Sequence, residues 1–334
     1  MRTYYHNSVS EPNTVAIGGG TGLSTMLRGL KNHTSKLTAI VTVADDGGGS
    51  GVLRQELSMP PPGDIRNCMQ ALANTEPTMQ ELLNYRFTEG SLKGQSFGNL
   101  FLAAMNGICS SFDEAVMKMG EVLALTGRVL PVSTEDVQIL AEFENGAKII
   151  GESKIGTYKH ETGNSITKVR LLPDLPKALP EALDAIEKAE LLIIGPGSLY
   201  TSILPNLLTD LVSQAIARSN AVRVYVLNVM TQYGETEGFT ASDHIRVLFD
   251  HGGAKLFDYC LANDMILPPD VLTRYSREEA EPTIIDRDEI SRLGVELICA
   301  RVADTSKNLA RHDPDRLSAA VMELFRDKSP TRLY

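Results

Sequence analysis

Three apolar runs in the chain are each followed by glycines and polar side chains suited to binding an anionic ligand. The first is VAIGGGTGLS, from Val15 to Ser24, where three consecutive glycines precede an amphipathic pattern typical of a helix. Glycines allow positive φ angles and close approach of backbone N–H groups to a ligand, and a helix N-terminus adds free N–H groups and partial positive charge. This stretch therefore predicts a phosphate-binding site built from Gly18, Gly19, Gly20, Thr21, Gly22, Leu23 and Ser24.

The same order of apolar run, turn and polar side chains occurs twice more. Leu191 to Ile194 leads into Gly195-Pro196-Gly197-Ser198, and the run from Val222 to Val226 leads into a segment rich in amides, hydroxyls and glycines. Because ligands of open parallel sheets bind beyond the carboxyl ends of the strands, we expect these segments to meet at one site. The candidate ligand-binding residues here are Gly195, Gly197, Ser198, Tyr200, Thr201, Asn228, Thr231 and Gln232.

Two adjacent carboxylates, Asp45 and Asp46, follow the apolar run from Ile40 to Ala44. Mg²⁺ prefers oxygen ligands, so either acid is a candidate metal ligand and catalytic group. Successive side chains of a strand face opposite ways, so only one of the two is expected to face the ligand. The pair also lies near the position at which a dinucleotide-binding domain holds a ribose hydroxyl, which keeps an NAD site as an alternative.

A stiff loop, PPPGDIRN from Pro60 to Asn67, lies between these acids and a long helical stretch. Arg54 and Arg66 flank the loop, and an arginine beside a glycine-rich turn can clamp a phosphate. Asp64 is predicted to cap the helix that follows, and Asn99 is either an N-cap or a ligand contact. This region adds six candidates, Ser50, Arg54, Asp64, Arg66, Asn67 and Asn99.

Composition narrows the classes of function. The 334 residues carry a formal net charge of −10, which argues against nucleic acid or an anionic membrane surface as the main partner. No apolar run approaches the roughly 20 residues needed to cross a bilayer, and the N-terminus lacks the apolar core of a signal peptide. The four cysteines are scattered, with no CxxC pair, as expected of reduced thiols in a cytoplasmic protein.

The positions of these motifs predict a parallel α/β domain over residues 14–330. A strand, a helix and a second strand follow a loose lead-in of residues 1–13, as in a βαβ unit. Residues 65–127 are mostly helical and are interpreted as an insertion. Asn145-Gly146, the strongest short hairpin signal, marks a small β excursion within residues 131–172.

Six motifs, taken in order, resemble those of the 2-phospho-L-lactate transferase superfamily, and more closely those of its bacterial branch, the gluconeogenesis factors. They are GGGTGLS, VADDGGGSG, PPPGDIRN, SFGNLFLAA, GPGSLYTSILPNLL and NVMTQYGETEGFTASDH, and the resemblance runs from about residue 14 to residue 326. It implies a Rossmann-like three-layer α/β/α fold with a mostly parallel sheet. By position it implies a ligand at Gly18 to Ser24, Asp45, Asp46, Asn67, Asn99, Gly195 to Ser198, Asn228, Thr231 and Gln232.

The resemblance implies two kinds of function. The transferase branch binds a phosphorylated donor and a deazaflavin precursor with a divalent metal. Gluconeogenesis factors are associated with cell shape and with growth on gluconeogenic carbon sources, and are expected to bind a nucleotide sugar. The chain departs from the family pattern at Val52, where an arginine is common, and at Gln95, where a histidine is common. The missing histidine removes a candidate proton donor and weakens a catalytic role.

Three functions therefore stand as hypotheses. We favour a cytoplasmic regulatory protein that binds a UDP-type nucleotide sugar, because a chain with no Trp and 6% aromatic residues is poorly suited to a deazaflavin slot. The first alternative is a Mg²⁺-dependent transferase of the 2-phospho-L-lactate type. The second is an NAD-dependent oxidoreductase, which is disfavoured because Leu23 stands where the dinucleotide fingerprint has its third glycine. The sequence leaves turnover, homo-oligomer formation and regulatory protein partners open.

Overall fold

Residues 11–329 are described by the computed structural model, and they fold around a seven-stranded sheet. Two smaller antiparallel sheets accompany it. The strands are β1 (Thr14–Gly18), β2 (Leu37–Val41), β3 (Arg128–Pro131), β4 (Gln138–Phe143), β5 (Lys148–Ile150), β6 (Ile166–Leu172), β7 (Leu191–Ile194), β8 (Val222–Val226), β9 (Tyr259–Asn263), β10 (Glu296–Ala300), β11 (Ala303–Asp304) and β12 (Arg311–His312).

All neighbouring strands of the main sheet are parallel, in the order β10-β9-β8-β7-β1-β2-β3. Every residue of β1 and β7 is buried, which explains why both read as continuous apolar runs. β2 and β3 follow β1 toward one edge of the sheet, and β8, β9 and β10 follow β7 toward the other edge. The order therefore reverses between β1 and β7, where open α/β sheets bind ligands.

Helices cover both faces of this sheet. One apolar core joins Ala16 and Ile193 to α1, α3 and the C-terminal helix, and a second joins Ile17 and Ile194 to helices on the other face. This arrangement confirms the three-layer, Rossmann-like prediction. The helices are α1 (Gly20–Leu30), α2 (Gly48–Leu57), α3 (Gly63–Leu72), α4 (Pro77–Asn84), α5 (Phe97–Ile108), α6 (Phe112–Val122), α7 (Glu152–Thr162), α8 (Pro180–Glu187), α9 (Leu204–Leu207), α10 (Val212–Arg218), α11 (Ala241–Gly252), α12 (Pro269–Arg277), α13 (Arg287–Arg292) and α14 (Pro314–Lys328), with a π-helical turn at Leu199–Ile203.

The helical insertion lies between β2 and β3 and is longer than predicted. It begins with α2 at Gly48, within the glycine-rich stretch, and not near residue 65. Glycine disfavours helix formation, but α2 buries Leu53 and Arg54 against its neighbours, so tertiary packing overrides the local preference.

The predicted β excursion is a three-stranded antiparallel sheet in the order β5-β4-β6. The Asn145-Gly146 turn joins β4 to β5, as predicted. Between β5 and β6 the chain forms α7, which the sequence reading missed because only Ile155 and Lys159 of this helix are buried. Residues 1–10 of the predicted lead-in lie outside the described residues, and 11–13 have no regular structure. Among residues 11–329, no helix is long and apolar enough to cross a membrane.

Candidate functional site

The turns that follow β1 and β7 contact each other directly through their backbones. A Cβ atom at Gly22 would lie 2.5 Å from the carbonyl oxygen of Pro196, and one at Gly18 would lie 3.8 Å from the Cα of Gly195. Gly20 and Gly195 also have φ angles of +62° and +78°, which favour glycine. The two glycine turns therefore form one continuous backbone surface at the point where the strand order reverses.

This surface is one wall of a cavity of about 780 Å³, within the usual range for small-molecule sites. The end of β8 and the loop that follows it supply a second wall. Eleven of the residues predicted from the sequence line the cavity: Gly19, Gly20, Thr21, Gly22, Asp45, Asp64, Gly197, Ser198, Asn228, Thr231 and Gln232.

Asn228 joins the third strand end to the second glycine turn. Its side-chain Nδ2 donates to the carbonyl oxygen of Gly197 at 2.8 Å, and its Oδ1 accepts the N–H of Gly197 at 3.3 Å. Both hydrogen bonds fix the Gly197 backbone, so all three strand ends act as one rigid frame.

One side of the cavity is acidic. Asp45, Asp64 and Glu152 line it, and Asp64 accepts a hydrogen bond from the backbone N–H of Gly20. Burial, followed by the charge of Asp45, raises the pKa of Asp64 to about 7. Burial and the neighbouring acids Asp45, Asp64 and Glu235 also raise the pKa of Glu152. Crowded carboxyl groups of this kind favour either a proton or a cation between them.

Asp45 and Asp46 have different environments, although both lie beyond the end of β2 at Val41 and are not alternating residues of a strand. Asp45 lines the cavity, and its Oδ1 accepts the N–H of Gly47 at 2.8 Å. The Oδ1 of Asp46 instead accepts the N–H of Ser153 at 2.8 Å, in the first turn of α7. Asp46 therefore holds α7 in place, and Asp45 is the one of the pair available to a ligand.

The C-terminal residues of the cavity lining include two arginines and one glutamate. Arg274 and Arg311 line it with Tyr275, His312 and Glu278, and the Arg274 Nε lies 3.8 Å from the Glu278 carboxylate. The Tyr275 hydroxyl accepts the N–H of Ala310 at 3.2 Å and lies 3.3 Å from its carbonyl oxygen, which ties α12 to the segment before β12. Burial lowers the pKa of His312 to about 4, so its ring is neutral at pH 7. The site can therefore attract anionic groups on one side and hydroxyl groups or a cation on the other.

A family model for the 2-phospho-L-lactate transferase CofD matches residues 14–303. The chain belongs to the CofD family. A protein of Thermoanaerobacterium thermosulfurigenes is 53% identical over 314 residues, covering 94% of this chain and 97% of that protein. The gluconeogenesis factor of Bacillus subtilis is 44% identical over 318 residues, covering 95% of this chain and 99% of that protein. A crystal structure of a Bacillus halodurans protein superimposes with a TM-score of 0.90 at 44% identity, covering 94% of this chain and 100% of that one. Within the CofD family the chain is thus similar to bacterial gluconeogenesis factors.

The first CofD motif includes two residues that do not face the cavity. Leu23 is fully buried in the apolar core beneath α1, and the Ser24 hydroxyl donates to the carbonyl oxygen of Thr21 at 3.0 Å. Both side chains are buried because helical periodicity turns them inward, so neither side chain lines the cavity. Four other predicted residues also do not line this cavity. Gly18 and Gly195 are buried where the two turns contact each other, and Tyr200 is buried against Phe239. Thr201 lines an adjoining pocket.

The two arginines predicted to clamp a phosphate do not line the cavity in this CofD-family structure. The Arg54 Nε donates to Asp136 at 2.6 Å, and the Arg66 Nε donates to Asn99 at 3.2 Å. The partner of Arg54 lies between β3 and β4, and the partner of Arg66 lies on α5, so these contacts hold both guanidinium groups against the protein. Ser50, Asn67 and Asn99 do not line the cavity either, and the Asn99 Nδ2 lies 3.5 Å from the Ser50 Oγ.

Two capping predictions need correction. Asn99 does not cap α5, since Ser96 is the N-cap and its hydroxyl accepts the Asn99 N–H at 3.2 Å. Asp64 lies inside the first turn of α3, after the N-cap Pro62, and its carboxylate reaches across to α1.

The sequence reading of the CofD motifs missed Glu152, Arg274, Arg311 and His312. Glu152 opens a helix without a clear apolar stripe, and the other three belong to short elements near the C-terminus that carry no glycine turn. The only available signal was the cluster of charged residues in LARHD, which does not by itself indicate a site.

Proposed function

We propose that this protein is a cytoplasmic regulatory protein that binds a nucleotide sugar of the UDP type, with a role in cell shape and in growth on gluconeogenic carbon sources. The observation that carries the proposal is the direct contact between the two glycine turns. A diphosphate has two groups of oxygens a few ångströms apart, and it needs donors on both sides. A joint backbone surface between two helix-opening turns suits that requirement.

The charge distribution supports the same ligand. The first N–H groups of α1 have no partner within the helix, because the first four donors of any helix lack one. Arg311 adds positive charge to the cavity lining, whereas the charge of Arg274 is offset by its ion pair with Glu278. The acidic side suits the hydroxyl groups of a sugar, which donate hydrogen bonds to carboxylates.

Asp45 and Asp64 are the residues that would hold a Mg²⁺ ion beside the diphosphate. Their oxygen atoms match its preference, and their crowding favours a cation between them. Within the described part of the chain, no three His, Cys, Asp or Glu side chains are grouped closely enough to form a metal site. A Mg²⁺ ion here would therefore be held by one or two carboxylates together with phosphate and water, as is usual for this ion. When bound, Mg²⁺ would neutralise phosphate charge.

A metal-dependent transfer of a phosphorus-containing group is the second candidate. The match to the CofD family model supports it, together with the three carboxyl groups beside the glycine turns. An NAD-dependent oxidoreductase has the least support, since Leu23 is buried where the dinucleotide motif requires a glycine.

Calorimetric titration of the purified protein with UDP-N-acetylglucosamine, with and without Mg²⁺, tests the proposal, with NADH as the comparison ligand. We expect saturable, Mg²⁺-strengthened binding of the UDP-sugar and none of NADH. Arg311→Gln should weaken this binding, and Arg326→Gln is the matched control because Arg326 is exposed on α14. No binding of the UDP-sugar would overturn the proposal, and consumption of the ligand during incubation would favour the transferase.

A further inference from the structure

A line of side-chain hydrogen bonds connects the cavity to a buried carboxylate. The Ser198 hydroxyl donates to the Oε1 of Gln232 at 2.7 Å, and the Nε2 of Gln232 donates to the Oε1 of Glu235 at 3.0 Å. Ser198 and Gln232 line the cavity, whereas Glu235 is only 5% exposed. Glu235 does not line this cavity, but it lines the adjoining pocket together with Ser198 and Gln232.

The carboxylate of Glu235 is held by neutral donors. Its Oε1 also accepts the Thr201 hydroxyl at 3.2 Å, and its Oε2 accepts the Tyr200 N–H at 3.4 Å. Lys159 donates to the carbonyl oxygen of Glu235 and to the carboxylate of Glu237. Burial raises the pKa of Glu235 to about 7, so the group is mainly ionised at pH 8. An ionised carboxylate can only accept hydrogen bonds.

The acceptor character of the Glu235 carboxylate fixes the orientation of the Gln232 amide. The Nε2 must face Glu235, since the Oε1 would meet another acceptor there. The backbone N–H of Gln232 also donates to the Thr236 hydroxyl at 2.9 Å, which holds the main chain in register. The Oε1 of Gln232 is therefore turned toward Ser198.

The orientation of the amide decides what Ser198 can offer a ligand. A hydroxyl group has one proton and two lone pairs. The proton of Ser198 is directed to Gln232, so only lone pairs of its oxygen remain for the cavity. A phosphate oxygen is itself an acceptor and cannot use them, whereas a ligand hydroxyl can.

We propose that Glu235 is a positioning residue that, through Gln232, makes Ser198 an acceptor for a sugar hydroxyl of the bound nucleotide sugar. Ser198 follows the second glycine turn on the acidic side of the cavity, and with Gln232 it also lines the adjoining pocket beside Asp45 and Glu152. The carboxylates of Asp45 and Glu152 accept hydrogen bonds, so they suit the hydroxyl groups of the sugar in this pocket. The inference rests on the proposed nucleotide-sugar function.

Affinities for UDP-N-acetylglucosamine and for UDP, both measured by calorimetry with Mg²⁺ at pH 8, test this inference. Ser198→Ala and Glu235→Gln should each weaken binding of the UDP-sugar roughly 3- to 10-fold, as for the loss of one hydrogen bond, and leave UDP binding unchanged. Ser198→Thr keeps the hydroxyl and should retain most of the affinity for the UDP-sugar. Glu161→Gln, at an exposed glutamate of α7 that is outside the line of hydrogen bonds, should bind both ligands like the wild type.

The outcomes separate this inference from the function on which it rests. If the wild type binds neither ligand, the proposed function fails and the inference fails with it. If the wild type binds both but the Ser198 and Glu235 variants keep its ratio of affinities, only the inference is overturned. An equal loss of both ligands in Ser198→Ala also overturns it, since Ser198 would then contact the UDP part.

Discussion

The backbone of Gly22 lies against the carbonyl oxygen of Pro196, so closely that a Cβ atom there would be 2.5 Å from that oxygen. Gly22 belongs to α1, after β1, and Pro196 belongs to the turn after β7. A backbone carbonyl cannot move aside as a flexible side chain can. The separation of the two turns is therefore fixed by the absence of a side chain at Gly22.

Gly22→Ala should force the turns apart. We expect it to lower the free energy of unfolding by about 1–3 kcal/mol, the usual effect of overpacking, and to weaken UDP-N-acetylglucosamine binding at least tenfold. Urea denaturation and calorimetry measure the two effects. Gly107→Ala is the matched control, because that helical glycine has open space around it and alanine should be neutral or slightly stabilising. Wild-type affinity in Gly22→Ala would contradict the claim that the turns form one binding surface.

The two adjacent acids should respond differently to substitution. Asp46→Ala leaves the Ser153 N–H without its acceptor, so unfolding should become easier by about 1 kcal/mol, with ligand binding intact. Asp45→Ala should remove most of the strengthening of UDP-sugar binding by Mg²⁺. Titrations with and without Mg²⁺ on both variants check this pair. The reverse pattern would show that Asp46, and not Asp45, serves the ligand.

His244 should make stability depend on pH. It is fully buried in α11, its Nδ1 lies 3.1 Å from the Tyr225 hydroxyl, and burial lowers its pKa to about 4. In the unfolded chain the His244 ring binds a proton near pH 6.5, so its contribution to the free energy of unfolding is complete above that pH. That contribution is lost, by roughly 3 kcal/mol in all, as the pH drops from 6.5 toward 4.

Urea denaturation between pH 4 and 7 measures this contribution. His244→Gln should flatten the decline in stability on the acid side, whereas His33→Gln, at an exposed histidine, should follow the wild-type curve. An unchanged decline in His244→Gln would assign the acid sensitivity to other groups.

The sequence predicted the parts of the site whose geometry is local. Positive φ at Gly20 and Gly195 is a property of a few residues, and so is the Asn145-Gly146 hairpin. Apolar runs identify β1 and β7 because both of their faces are covered.

Residues whose roles depend on distant partners were not predictable in this way. The partner of Arg54 is Asp136, 82 residues away, and nothing in either local sequence indicates the pairing. Arg311 lines the cavity only because β12 is placed at its edge by the packing of the C-terminal segments. Glu235 lies in a loop between Gly234 and Gly238. It is buried where its carboxylate contacts Tyr200 and Thr201, which follow the turn after β7. Such placements are decided by tertiary packing, which a single sequence does not display.

A crystal structure of the protein with Mg²⁺ and UDP-N-acetylglucosamine tests the central claim most directly. The account predicts the diphosphate between the two glycine turns, within hydrogen-bond distance of the backbone N–H groups of Thr21, Gly22 and Ser198, since the Gly197 N–H is already donated to Asn228. It also predicts the sugar beside Ser198 and Gln232. A UDP-sugar bound elsewhere, such as in the groove on β6 that Lys168 and Arg170 line, or a diphosphate in contact with only one turn, would contradict it.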